Sequence, residues 1–147
     1  MEKGGKWIKL DLIDQGRKVQ KNIEKCPKTW ETLKNLPLAI DNGLAYVYFS
    51  VIYPNTHISS HCGPVNFKLR CHLPLFSPSR CFLHVAHGSR QFEDGKLLIF
   101  DDSFSHFVVN DGDDIRVVLL IDVWHPDLTQ KEIDVLNKLL PPPKEDD

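Results

Sequence analysis

From Leu44 to Trp124 the chain alternates short apolar-rich runs with turn formers. The runs are Ala45–Tyr53, Phe67–Leu75, Cys81–Val85, Lys96–Phe100, His106–Asn110 and Ile115–Trp124. Pro54-Asn55, Ser77-Pro78, Asp94-Gly95 and Asp111-Gly112 punctuate them. Short strands at regular spacing, with no helices between them, predict a mainly β antiparallel sandwich or barrel rather than a parallel sheet. The first 40 residues are mixed, with a short helix predicted around Thr29 to Asn35. A closing helix is predicted from the capping box Thr129-Gln130-Lys131-Glu132, with Ile133, Leu136 and Leu140 as its apolar stripe against the outside of the sheet. The prolines at 141–143 cannot continue that helix, so residues 141–147 are expected to form a flexible tail.

The run from Phe67 to Leu75 carries two different faces, because strand side chains alternate. Phe67, Leu69, Cys71, Leu73 and Leu75 share one; Asn66, Lys68, Arg70 and His72 share the other. Taken alone, the polar set fits a solvated face as well as a pocket wall. Its place just after His61 favours a cationic, hydrogen-bonding wall suited to a dianionic ligand.

With 147 residues the chain is long enough for one domain with a real core, expected over 1–147 with its centre at about 7–135. A net charge of −2 gives no global reason to expect nucleic acid or an anionic membrane as partner. No apolar run reaches membrane-spanning length and the N-terminus does not read as a signal peptide, so a cytoplasmic location is expected. Cys26, Cys62, Cys71 and Cys81 show no Cys-x-x-Cys spacing and are expected to be free thiols.

Three residues carry the candidate chemistry. His61, in His-Cys-Gly-Pro, and His106 each sit at a strand edge, and Arg116 follows ten residues later. Two such histidines can share one metal, and an arginine beside them can grip a carboxylate with a permanently charged fork. That is the layout of a non-haem iron oxygenase using a 2-oxo acid. Gly63 stands where the carboxylate ligand of a two-histidine, one-carboxylate site would be, so the site binds iron through two protein ligands or does not bind it. Asp102, just before His106, is a candidate to accept a hydrogen bond from a metal-bound water. His57, His84, His87 and His125 lack such a pattern and read as surface or structural residues, and Trp124 as core.

The stretches His61-Cys-Gly-Pro-Val-Asn66, Leu69-Arg70-Cys71-His72-Leu73, Gly95 to Phe104 with His106, and Asp122-Val-Trp-His-Pro-Asp-Leu-Thr129 resemble the catalytic domain of the aspartyl/asparaginyl β-hydroxylase family. Weaker likeness includes Trp7, Gln15-Gly16-Arg17, Cys26-Pro27-Lys28-Thr29 and Ser50, so the resemblance spans about Trp7 to Glu132. It implies a double-stranded β-helix (jelly-roll, cupin-like) fold with a few flanking helices. It also implies a peptide-aspartate β-dioxygenase-like activity using Fe(II), O2 and 2-oxoglutarate. The family's iron is held by two histidines without a protein carboxylate, which accounts for Gly63.

Carried over by position, His61 and His106 become the metal ligands. Arg116 and Ser50 hold the distal carboxylate of 2-oxoglutarate, His72 and Arg70 its other end, and Trp7 the rim. Lys68 and Arg70 face the substrate. The implied partner is an Asp or Asn residue in a peptide, a protein or a carrier-bound amino acid. The chain departs from the family pattern at Pro74, Ser105, Phe107 and Val109, which changes the pocket wall near the metal. Two alternatives follow: a cupin-like binding module or pseudoenzyme, and a hydroxylase of a lipid acyl chain.

Overall fold

The computed structural model describes residues 2–3 and 5–144; part of the expected flexible tail, residues 145–147, lies outside them. The elements in chain order are β1 (Glu2–Lys3), β2 (Trp7–Asp14), β3 (Arg17–Lys18), α1 (Gln20–Ile23), α2 (Pro27–Leu33), β4 (Val47–Ile52), β5 (Thr56–His61), β6 (Lys68–Phe76), β7 (Cys81–Val85), β8 (Gly88–Gln91), β9 (Leu98–Phe100), β10 (His106–Asn110), β11 (Arg116–Trp124) and α3 (Gln130–Leu139). They form two antiparallel sheets, ordered β1-β5-β10-β7-β8 and β3-β2-β4-β11-β6-β9. Apart from the β2-β3 and β7-β8 hairpins, neighbours in each sheet are distant in sequence, as a double-stranded β-helix requires and a simple meander does not.

Strand alternation in the six-stranded sheet assigns each side a different job. On β11, Leu119 and Ile121 point outward and join Leu12, Ile13, Ile23, Leu33, Leu38, Val47 and Cys71 under the two short helices. The alternate residues Arg116, Val118, Leu120 and Asp122 are buried toward the five-stranded sheet. Between the sheets, Ile52, Cys81, Leu83, Phe92, Val108 and Val118 form an apolar core. The β6 expectation holds in the same way. Cys71 joins the outer core, while Lys68 and His72 are buried on the inner side.

Several elements differ from the sequence reading for identifiable reasons. Strand β5 is polar (Thr-His-Ile-Ser-Ser-His) and gave no apolar alternation; it is extended because both its edges pair, with β1 and β10. Strand β2 lies in the stretch read as mixed. A register shift between Asp11 and Ile13 breaks its period and buries Leu12 and Ile13 together. The first long helix starts at Pro27, at its first turn where proline is tolerated, rather than at Thr29. Helix α3 has the expected capping box, with Thr129 Oγ1 accepting from the Glu132 backbone and Glu132 bonding back to Thr129. Its Ile133 and Leu136 cover Trp124, Ala39 and Ala45. No helix among the described residues is long and apolar enough to cross a membrane.

All four cysteines are free, as expected: Cys62 exposed, Cys26 half-buried, Cys71 and Cys81 buried. Burial pushes the Cys71 and Cys81 thiols up to about 11, which suppresses the reactive thiolate. Thiol titration of the native protein is therefore expected to label Cys62 quickly and Cys26 more slowly. Cys71 and Cys81 should react only after denaturation; rapid native labelling of all four would contradict this packing.

Candidate active site

Pairing of β5 with β10 sets His61 directly opposite His106, with ring centroids 4.2 Å apart. Each ring is oriented from behind by a main-chain carbonyl. His61 Nδ1 lies 2.8 Å from Ser59 O, and His106 Nδ1 lies 2.9 Å from Phe104 O. A carbonyl oxygen only accepts, so both Nδ1 atoms carry the proton and both Nε2 atoms keep the lone pair that a metal needs. Burial also lowers the pKa of His106, opposed by its bond to Phe104, which favours the neutral ligand form. No group of three or more His, Cys, Asp or Glu side chains placed to hold a metal occurs among the described residues.

A cavity of about 230 Å³ opens beside this pair, lined by Trp7, Tyr48, Ser50, Ile58, His61, Arg70, His72, His106, Val108, Arg116 and Leu120. Seven of the candidate residues named from sequence thus meet at one place, from β2, β4, β5, β6, β10 and β11. In the same cavity Arg116 is 1% exposed and donates from Nη2 to Ser50 Oγ at 2.8 Å. Ser50 Oγ also accepts from Trp7 Nε1 at 2.9 Å. With both lone pairs engaged, the Ser50 hydroxyl proton is left to donate elsewhere.

Buried polar nitrogens without partners mark what this cavity is built for. Arg116 Nε and Nη1, and both ring nitrogens of His72, have none. Such groups are costly unless a ligand satisfies them. Burial lowers the Arg116 pKa to about 10, so it stays cationic at neutral pH. Burial, then Arg116 and Arg70, holds His72 well below the usual histidine range, so it is neutral there. The residues fit the implied groups: two free imidazole lone pairs for a borderline metal, and an unsatisfied guanidinium edge for a carboxylate.

Lys68 departs from expectation. It is 1% exposed and does not line the cavity. Its ammonium lies 3.1 and 3.0 Å from the two Asp102 oxygens and 3.3 Å from Asp122 Oδ2. Arg70 reaches the cavity wall, but its Nε and Nη2 form a bidentate pair with Asp122 at 2.9 Å each, and Nη1 lies 3.3 Å from Asp102. Burial works against the Arg70 charge, yet Asp122 and Asp102 outweigh it and raise its pKa. The polar face of β6 is thus half pocket wall and half internal ion pair. Asp102 is likewise committed to Lys68, and a Cβ at Gly63 would lie 2.6 Å from its Oδ2. Glycine is therefore required at 63 by the carboxylate packed over it.

Sequence reasoning missed Asp122, Tyr48 and Phe92. Asp122 shares the inner parity of β11 with Arg116, a signal available in the alternation. Tyr48 has the same parity as Ser50 on β4, and burial raises its phenol pKa. Phe92 sits in the connection after β8, where no periodicity points to it. Of the other histidines, His57 pairs with Asp111 at 2.7 Å and His84 stacks on Phe107 at 4.2 Å, both outside the cavity.

Two outcomes are expected. Lys68→Met leaves the buried Asp102 without its closest cation, and urea denaturation should show a loss of about 3–5 kcal/mol. His72 binds its proton only far below pH 6.5 when folded, but at about 6.5 when unfolded. The unfolded state therefore gains protons first on acidification. Stability from this group is full above about pH 6.5 and declines as pH falls toward the folded value. His72→Phe should reduce the slope of stability against pH below 6.5 by up to about 1.4 kcal/mol per unit.

A family model for aspartyl/asparaginyl beta-hydroxylase matches residues 1–126. The mouse aspartate beta-hydroxylase domain-containing protein 2 is 37% identical over 142 residues, 94% of this chain and 41% of that protein. Human aspartyl/asparaginyl beta-hydroxylase is 37% identical over 129 residues, 87% of this chain and 17% of that protein. The chain thus spans less than half the length of these relatives. The Cupin_2 domain of an XRE family transcriptional regulator from Enterobacter cloacae superposes with a TM-score of 0.54, covering 81% of this chain and 97% of that one at 8% identity, a likeness of fold alone. With a match that runs through every strand of both sheets and both histidines of the facing pair, the chain belongs to the aspartyl/asparaginyl beta-hydroxylase family.

Proposed function

We propose that this chain is an Fe(II)- and 2-oxoglutarate-dependent dioxygenase that hydroxylates an unactivated C–H bond, most naturally Cβ of an Asp or Asn residue in a peptide, a protein or a carrier-bound amino acid. One observation carries the reading: a buried guanidinium with two unpartnered nitrogens faces the same cavity as two histidines whose Nδ1 atoms are already committed. A metal and a carboxylate-bearing ligand are what that combination lacks.

In this reading His61 and His106 hold the metal through Nε2. When bound, Fe(II) with O2 and 2-oxoglutarate supplies an oxidation that places one oxygen atom on the C–H carbon and releases succinate and CO2. The chain's own residues bind, orient and exclude water. Arg116 offers its free edge, and Ser50 its remaining proton, to the distal carboxylate of 2-oxoglutarate. His72, being neutral, donates one N–H to the other end without adding charge beside the metal. Ile58, Val108 and Leu120 supply the apolar wall that keeps bulk water from the reacting carbon. Trp7, 36% exposed, stands at the mouth and ties it to Ser50.

A binding module without turnover is the competing reading, supported by Ser105, Phe107 and Val109, which depart from the family pattern around His106. Anaerobic addition of Fe(II) and 2-oxoglutarate separates the two. We expect a weak charge-transfer band near ~500 nm, absent in His106→Ala, followed by succinate release on exposure to O2 and Asp- or Asn-containing peptides. No band at saturating ligand would overturn the dioxygenase reading; a band without succinate would establish the binding module.

A further inference from the structure

The anion end of the cavity rests on a residue from outside the strands that build it. Phe92 is 2% exposed, donates its backbone N–H to Cys81 O at 3.0 Å, and belongs to the apolar core between the sheets. The Arg116 guanidinium lies over its ring, 4.9 Å from the centroid. Apart from that face, one hydrogen bond to Ser50 holds the guanidinium, and Nε and Nη1 have no partner. A planar cation on a single hydrogen bond can swing about it. An aromatic face beneath it removes that freedom, and with water excluded the attraction is near the top of its range.

The same ring also meets His72, in a stack with centroids 6.0 Å apart and planes 14° from parallel. His72 has a second ring contact, edge-on to Phe100 at 5.2 Å, and Phe100 in turn meets His106 at 5.3 Å. Arg116 has no such second aromatic support among the described contacts. Truncating Phe92 therefore bears most heavily on Arg116, while His72 and the histidine pair stay braced.

We propose that Phe92 is a positioning residue, the platform that fixes the Arg116 fork so that its free edge meets the distal carboxylate of the 2-oxo acid. This rests on the dioxygenase reading above. The site is then specific for a 2-oxo acid with a second carboxylate because an uncharged ring in the core, and not a further cation, holds the arginine flat.

The test compares 2-oxoglutarate with 2-oxobutyrate, which keeps the 2-oxo acid group and lacks the distal carboxylate. Affinities are measured by calorimetry on protein loaded with Mn(II), so no turnover is needed. In Phe92→Leu the affinity for 2-oxoglutarate over that for 2-oxobutyrate should fall about thirtyfold, the size of a desolvated cation–π contact. Phe92→Tyr, which keeps the ring, should retain the wild-type ratio. Phe92→Met, whose flexible unbranched side chain adapts to an irregular gap, replaces the leucine variant if that one does not fold. An unchanged ratio, or equal loss for both acids, overturns the proposal, since a merely structural ring would affect both alike. Failure of the wild-type protein itself to bind 2-oxoglutarate overturns the dioxygenase reading and this inference with it.

Discussion

The buried ion network of Lys68, Arg70, Asp102 and Asp122 is the constraint around which the active-site end of this fold is arranged. Two cations and two carboxylates leave water together, a step that is tolerable only with complete pairing. The pairing is complete: both Asp102 oxygens and both Asp122 oxygens are engaged, and the Tyr46 backbone N–H adds a further bond to Asp122. The network joins β6 to β11 and to the turn before β10. Through the Asp102 main chain it also reaches Gly63, whose N–H donates to Asp102 O at 2.6 Å. His61 lies two residues before Gly63 and His106 four residues after Asp102. The network therefore fixes the spacing between the two loops that carry the histidine pair.

Around that anchor the six-stranded sheet separates two environments. Its outer face is apolar and carries the two short helices, so each strand is held without using any inward-facing side chain. The inner face can then hold Ser50, His72 and Arg116 in a low-dielectric space, where unsatisfied donors are strong binders and costly to leave empty. The five-stranded sheet supplies the opposite wall with its own histidines and the apolar residues between them. The Arg116–Ser50 pair and the facing histidines thus come from different sheets and meet only when the two sheets pack. Phe92, core residue and platform at once, links that packing to the geometry of Arg116.

Much of the fold was legible. Strands β7 and β10 were read to the residue, and β4, β6, β9 and β11 to within one or two at each end, because apolar alternation is strong in them. Strand β5 was not, since a strand satisfied on both edges and polar on its faces leaves no hydrophobic period. The Trp7–Asp14 strand was blurred by its register shift. The site followed the same division. His61, His106, Arg116, His72, Arg70, Ser50 and Trp7 do line one cavity, whereas Lys68 and Asp102 lie behind it and bind each other.

The sequence by itself determined the type of fold, the inward parity of the key side chains and the residues that make the chemistry conceivable, because these depend on the local period and on residue identity. Only the tertiary structure decided which of the inward-facing charges are free. Lys68 and Arg116 have the same parity and comparable burial, yet one is saturated by two carboxylates while the other keeps two bare nitrogens. That difference arises from partners 34 and 54 residues away from Lys68, brought within 3.3 Å by strand pairing and the approach of a turn. Electrostatic pairing in a buried site is set by distances in space, and no local pattern along the chain encodes them.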